Sequence, residues 1–288
     1  MTAAGIDKKN PLVYIIVLNW NGRDDTLRCL RSLRRVTYSP VKLLVVDNAS
    51  QDGSVEAIRS EFKEVEIIEN ERNLLFADGN NRGIRYALER GAAYILLLNN
   101  DTYVDPQFLS EMVEVGERDE RIAILGPKIY YTDSPDTIWF AGGEVSFWRG
   151  YTGHKGIRRR DGNLFNIPGE VDYITGCALL IKRQVFQRIG GLDPAYRIYG
   201  EDADFCQRAK RSGFRLCYVP SAKIWHSVSS SSGGGMTPYK ILNKMQSNFL
   251  FFRRYARWYH WSTIPIFVLL GFIRQSFLEV KGGNFRNI

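Results

Sequence analysis

Three features of the sequence predict an α/β fold, with a mostly parallel central sheet, flanking helices and a helical C-terminal tail. Apolar runs alternate with helical patterns from Val13 to Asp101. Each apolar run stops on polar residues. Positive charge is concentrated after Met236. Strands that are apolar on both faces belong to parallel sheets covered by helices on each side.

The elements follow in order. "VYIIVLNWNG" from Val13 to Gly22 reads as a buried strand and a turn. "DDTLRCLRSLRRV" follows as a helix, with Leu27, Leu30 and Leu33 at helical spacing and acids in its first turn. "VKLLVVDNAS" is a second strand. "DGSVEAIRSEF" is a helix with Asp52 or Ser54 near its N-cap. "VEIIEN" is a short third strand, "FADGNNRGIRYALERG" a helix closed by Gly91, and "AYILLLNND" a fourth strand. Beyond Pro106 come a helix, the strand "IAILGPKIYY" and β-structure with turns from Thr137 to Gly156. "VDYITGCALLIKRQVFQRIGGLD" is a strand and then a helix ended by Gly190 and Gly191. A helix opening on the acids of "GEDAD" stops at Gly213, and the strand region "LCYVPSAKIWHS" follows. There is no internal repeat.

Polar residues stand at three strand ends: Asn19 and Asn21, Asp47 and Asn48, and Asn99, Asn100 and Asp101. Ligands of such sheets bind outside the carboxyl ends of the strands. Asn and Asp also make turns after strands, but three such ends on one edge point to a site.

The chain has 288 residues, enough for one large domain or two halves sharing an interface. Its four cysteines lie far apart with no C-x-x-C pair, which argues against a zinc ribbon or disulfide framework and fits a reducing compartment. The start has no apolar core of a signal peptide. The formal net charge is +8, but eight basic residues face Glu279 alone after Met236. The body is therefore no general polyanion binder, and nucleic acid is not an expected partner.

Read together, "VLNWNG", "VVDNASQDGS", "NLLFADGNNRG", "LLLNNDT", "TGCALLIKRQVFQRIGGLD", "YGEDADFCQRAKRSG" and "IWHSVSSSSG" resemble a family 2 glycosyltransferase of the GT-A fold. Within it the chain is similar to rhamnosyltransferase-type enzymes of surface polysaccharide synthesis. The resemblance spans Val13 to about Gly235. It implies a nucleotide-diphosphate sugar donor, a divalent cation (Mg²⁺ or Mn²⁺) and an inverting displacement onto a glycan or lipid-linked acceptor. It divides the chain into a nucleotide-sugar-binding half (1–105), an acceptor-binding and catalytic half (106–235) and a basic, aromatic tail (236–288). Asp47 matches the acid that contacts the nucleobase, and Asn99, Asn100 and Asp101 match the D-x-D motif with its first acid replaced. The match places the base at Asp202, beside Glu201. Leu75 stands where the family usually has Gly, and Asp78 where a small residue is usual.

The residues support this chemistry in their own right. A nucleoside diphosphate leaves readily only when its charge is neutralised, the Lewis-acid role of a divalent cation. Asp101 offers an oxygen ligand, and His226, after an apolar strand, is the best-placed imidazole; His154 and His260 have weaker claims. A carboxylate suffices as base for the acceptor hydroxyl, and Glu201, Asp202 and Asp204 cluster at a helix start, where simple capping also suits them. Asn73 and Asn80 lie around a helix N-terminus whose N–H groups can meet phosphate or sugar oxygens, although the glycines there could serve only close packing. Gly176 and Glu201 are the candidates on the acceptor side.

"NFLFFRRYARWYHW" mixes aromatic and basic residues as in the headgroup region of an anionic bilayer. "IPIFVLLGFI" is about half of the roughly 20 apolar residues a spanning helix needs. The expectation is a cytoplasmic enzyme held peripherally at the inner face of the cell membrane. A pair of helices packed on the body is the alternative. The competing activities are a nucleotidyltransferase, which normally shows a Gly-rich basic phosphate loop that "LNWNGRDD" is not, and an inactive nucleotide- or carbohydrate-binding subunit. The sugar, linkage and oligomeric state stay open.

Overall fold

The computed structural model describes residues 10–228 and 238–270. The chain start, the "SSSSGGG" segment from Ser229 to Gly235 and the tail beyond Leu270, with Phe272, Phe277 and Phe285, lie outside the described residues.

Four parallel strands form the first half of the sheet: β1 (Val13–Asn19), β2 (Val41–Asp47), β3 (Glu66–Glu69) and β4 (Tyr94–Asn99), in the order β3-β2-β1-β4. Their connections are α1 (Arg23–Leu33), α2 (Ser54–Glu61) and α3 (Leu75–Glu89). β1, β2 and β4 are buried almost throughout, which explains their unbroken apolar runs. Asp52 accepts backbone N–H bonds from Ser54 at the start of α2 (3.1 Å) and from Arg23 at the start of α1 (2.9 Å). One carboxylate thus meets two helix starts, where the dipoles favour negative charge.

The second half continues the same sheet. After β5 (Thr102–Val104) and α4 (Phe108–Glu117) come β6 (Ile122–Tyr131), β7 (Thr137–Phe140), the hairpin of β8 (Gly143–Ser146) and β9 (Tyr151–His154), β10 (Arg159–Arg160) and β11 (Gly169–Glu170). Then follow β12 (Ala178–Lys182), α5 (Arg183–Ile189), α6 (Glu201–Arg211), β13 (Arg215–His226) and α7 (Pro238–Tyr255). β12 inserts antiparallel between β4 and β6, a reversal that its wholly buried apolar sequence does not signal. β13 runs parallel to β6 and antiparallel to β5. In that last pairing His226 stands opposite Thr102. β8 and β9 form a separate two-stranded sheet.

α7 does not stand apart from the body. Asn243, Ser247, Phe251 and Tyr255 recur at four-residue steps and are buried, so one face of the helix is packed. Its other side leaves Leu242, Met245 and Phe249 exposed. A 3₁₀ turn over Trp258–Ser262 follows, with His260 buried between Phe147 and Trp148 of the β8–β9 hairpin. No helix of the described residues is long and apolar enough to cross a membrane.

Candidate active site

The strand ends carry a hydrogen-bonded frame. Asn19 donates through Nδ2 to Asp47 Oδ1 (2.7 Å) and Ser50 Oγ (3.1 Å), while its Oδ1 accepts from Thr26 Oγ1 (2.7 Å) and Asn100 Nδ2 (3.3 Å). Ser50 N donates to Asp47 Oδ2 (2.8 Å). Asn48 donates to Asn73 Oδ1 (3.1 Å) and accepts from Asn70 Nδ2 (2.7 Å). Asn19, Asp47, Asn48 and Asn100 are buried. They tie the loops after β1, β2, β3 and β4 to one another.

Asn80 is also buried and donates to the Phe76 carbonyl within α3 (2.9 Å). A Cβ on Gly79 would approach Leu18 Cδ1 to 2.6 Å, and one on Gly83 would approach Ile16 and Val46 to 2.9 Å. Those glycines let α3 lie on the sheet. The accessible groups in this region are Asn21, the partly exposed Asn73 and Asn99, and Trp20, which is 50% exposed beside Asn19. In the sequence Trp20 gives no signal, because a single aromatic after an apolar run reads as more strand. Only its exposure marks it.

The backbone at this edge is unusual. Asn21, Ala49, Leu75 and Tyr199 all have positive φ, between 49° and 73°. Such conformations are rare for residues with a Cβ and concentrate at functional sites. Leu75, at φ 61°, explains why glycine suits this position.

The pairing of β13 with β5 brings Asp101 and His226 together. Ser227 N donates to the Asp101 carbonyl (2.8 Å), and His226 Nε2 lies 3.0 Å from Asp101 Oδ1. Both side chains are buried. Apart from this contact, neither Asp101 Oδ1 nor His226 Nδ1 has a hydrogen-bond partner. Burial opposes charge on the imidazole, but neighbouring Cys177 and Asp101 outweigh it and push the His226 pKa up to about 10. Asp101 offers a carboxylate oxygen here, and deprotonated His226 an imidazole nitrogen. Two ligands about 2.1 Å from one octahedral cation stand about 3 Å apart, so the pair fits Mg²⁺ or Mn²⁺. Among the described residues no group of three or more His, Cys, Asp and Glu side chains could hold a metal. Diphosphate and water oxygens would complete the sphere. His154 instead packs edge-on against Trp139, and burial lowers its pKa to about 4.

At the same edge, where Asn99 N donates to the Cys177 carbonyl (2.9 Å), α6 opens after Gly200 (φ 88°). Asp202 accepts from Gly176 N (2.9 Å) and Ala203 N (2.7 Å) and stays partly accessible. A Cβ on Gly176 would meet Phe76 at 3.0 Å, so glycine lets this backbone lie against the first turn of α3. Glu201 is buried with Oε2 unpartnered; burial and the neighbouring Asp202 raise its pKa to about 8. Burial also raises the Asp202 pKa, against the pull of its backbone donors. Asp204 has another task. It is fully buried and bound by Arg208 Nε (2.7 Å), Tyr255 Oη (2.7 Å) and Arg254 Nη1 (3.2 Å).

The family profile described as glycosyl transferase family 2 matches residues 14–190, more than half of the chain. The chain is a family 2 glycosyltransferase. A second profile, the N-terminal domain of galactosyltransferase, matches residues 159–229 of the enzyme, the stretch with Gly176, the acid pair and His226. The glycosyltransferase is 26% identical over 253 residues to N-acetylglucosaminyl-diphospho-decaprenol L-rhamnosyltransferase of Mycobacterium tuberculosis, covering 81% of each chain. It is 25% identical to the low-salt glycan biosynthesis hexosyltransferase Agl10 of Haloferax volcanii, covering 82% of this chain and 74% of the relative. Among solved structures, GalNAc-T7 with UDP, GalNAc and Mn²⁺ superposes with a TM-score of 0.62 at 18% identity, over 76% of this chain and 44% of that one. The mannosyltransferase PcManGT of Pyrobaculum calidifontis, with GDP-Man and Mn²⁺, gives 0.58 at 16% identity, over 78% and 59%. The enzyme has the GT-A fold.

Proposed function

We propose that this glycosyltransferase moves a hexosyl residue of the rhamnosyl type from a nucleotide-diphosphate sugar, with inversion, to a lipid-diphosphate-linked saccharide. The single observation that carries the reading is the buried pair Asp101 Oδ1 and His226 Nε2, 3.0 Å apart at the strand-end edge, with Asp202 at the start of α6. The mycobacterial relative is named for such an acceptor, which supports that class here.

In this reading the exposed Trp20 offers a face for the nucleobase, next in sequence to Asn19, which Asp47 holds by a hydrogen bond. Asn21, Asn73 and Asn99 present amides to the donor, the buried Asn19, Asn48 and Asn100 hold the loops that carry them, and Asn80 bonds within α3. Asp101 and His226 would hold Mg²⁺ or Mn²⁺, which when bound supplies charge neutralisation to the departing diphosphate. Asp202 takes the proton of the acceptor hydroxyl. Its backbone donors from Gly176 and Ala203 hold the carboxylate in place, and Glu201, kept protonated beside it, spares the pocket a second charge. The basic, aromatic tail would hold the enzyme at the inner face of the membrane, where such acceptors are concentrated.

The test is release of nucleoside diphosphate from a panel of nucleotide sugars, with acceptor and with Mg²⁺ or Mn²⁺. The wild-type enzyme should turn over only with cation. Asp101→Ala should abolish that turnover while the melting transition persists. Undiminished activity in excess chelator would overturn the metal assignment. Release of pyrophosphate from a nucleoside triphosphate would favour a nucleotidyltransferase. Binding without turnover would favour an inactive subunit.

A further inference from the structure

The acid pair sits in a short stretch that is gripped from two sides. Residues two apart on a helix point about 200° apart, so Asp202 and Asp204 face opposite ways from the first turn of α6. Asp202 faces Gly176. Asp204 faces α7, where Tyr255 Oη (2.7 Å) and Arg254 Nη1 (3.2 Å) meet its Oδ1. The same arginine reaches Asp193 Oδ2 (2.5 Å), and its guanidinium lies 5.2 Å from the ring centroid of buried Tyr196. About two helical turns back along α7, Ser247 Oγ donates to the Ile198 carbonyl (3.0 Å), just ahead of Tyr199 and Gly200, both with positive φ. A carboxylate with no exposed surface is costly unless its lone pairs are met. Two of the three side chains that meet them at Asp204 belong to α7.

We propose that α7 is a positioning element for catalysis. Tyr255 and Arg254, through Asp204, and Ser247, through the loop before α6, set where Asp202 stands relative to the acceptor hydroxyl. The role of Asp202 in this inference rests on the transferase reading above. All three α7 residues bond groups of the protein itself: Asp204, Asp193 and the Ile198 carbonyl. Removing one of them should shift the base without emptying the donor site.

The experiment compares wild type with Tyr255→Phe, Ser247→Ala, Arg254→Met and Arg254→Lys in the full chain. It measures nucleoside diphosphate release against pH and donor concentration, together with amide hydrogen exchange over residues 199–206. Tyr255→Phe and Arg254→Met should each lower kcat about tenfold and leave the donor KM within about twofold. They should also move the acid limb of the kcat–pH profile and speed exchange at the start of α6. Arg254→Lys should recover part of kcat. Slower melting-limited activity alone, with an unchanged pH profile and unchanged exchange over 199–206, would make α7 a merely structural prop and overturn the proposal. If the wild type releases no nucleoside diphosphate, the transferase reading fails. The exchange data then still decide whether α7 holds the start of α6: unchanged exchange in Tyr255→Phe and Arg254→Met overturns that hold.

Discussion

Glu201 and Asp202 are adjacent carboxyls, and in the same pocket they should differ in protonation. A second negative charge there would be neither solvated nor paired, so one proton is retained; Asp202 accepts two backbone N–H groups that favour its charged form, whereas Glu201 Oε2 has no partner, so Glu201 keeps it. The consequence for stability has a definite sign. Unfolded, Glu201 loses its proton near the ordinary 4.5; folded, it holds it to about 8. The folded state therefore binds more protons between those values, and its contribution to stability falls as pH rises through that window. Glu201→Gln should raise the melting temperature at pH 8 relative to wild type and flatten the pH dependence, read by thermal denaturation from pH 5 to 8. A wild-type melting temperature that rises over that range would contradict the assignment. For catalysis the ranking is reversed. Asp202→Asn cannot accept a proton and should lower kcat by roughly 10²-fold or more while donor affinity holds. A mild Asp202→Asn beside a crippling Glu201→Gln would exchange the two roles.

At the scale of elements, α3 shows how packing overrides propensity. Gly83 lies mid-helix, where alanine would add about 1 kcal/mol of helix stability. Its Cβ would, however, meet Ile16 Cγ2 and Val46 Cγ2 at 2.9 Å, both branched side chains of central strands with no room to withdraw. Overpacking of this kind costs about 1–3 kcal/mol, so Gly83→Ala should be net destabilising, checked by urea denaturation. A gain in stability would show that α3 can lift from the sheet. The same elements mark how far the sequence could be read. The alternation of apolar strands and helices was legible, because both faces of β1, β2 and β4 are covered. The polar strand ends were legible too, since buried runs do not stop on amides without cause. Asp101 and His226 were each visible as ligand types, but their meeting depends on the register of β13 against β5, a non-local pairing that no local pattern encodes. The reversal of β12 was hidden for a different reason. An apolar run reads alike in either direction. Which amides face the donor and which hold the loops depends on burial, and burial at a strand end follows from contacts made by other loops.

The molecule as a whole leaves its apolar surface unevenly covered. The tail was expected either to meet a membrane or to pack on the body, and α7 shows why the sequence mixed the two signals. Its inner face carries Phe251 and Tyr255 into the core, while Leu242, Met245 and Phe249 remain outside. Beyond it Trp258 is 86% exposed, and Ile266, Phe267, Val268, Leu269 and Leu270 are exposed in succession. Among the described residues Ile264 is the last buried apolar one, against Gly150 of the body. Clustered exposed aliphatics beside Arg253 and Arg257 suit a bilayer surface of negative charge, where attraction and insertion add. The two contributions separate with salt. Screening weakens the first, with a Debye length of about 8 Å at physiological ionic strength, and leaves apolar burial intact. Full-length enzyme should therefore co-sediment with anionic vesicles more than with neutral ones. High salt should remove only part of it, and detergent all. A chain ending at Ile264 keeps α7 and the buried contacts of the body but loses the exposed aliphatic run. It should stay folded and turn over a soluble acceptor, yet bind vesicles severalfold less. Trp258→Ser in the full chain should weaken binding to neutral and anionic vesicles alike, as expected for lost insertion. Equal vesicle binding by the full and shortened chains would place the contact elsewhere on the body. Binding by neither, with self-association of the full chain that the shortened chain lacks, would assign the same apolar run to a contact between copies.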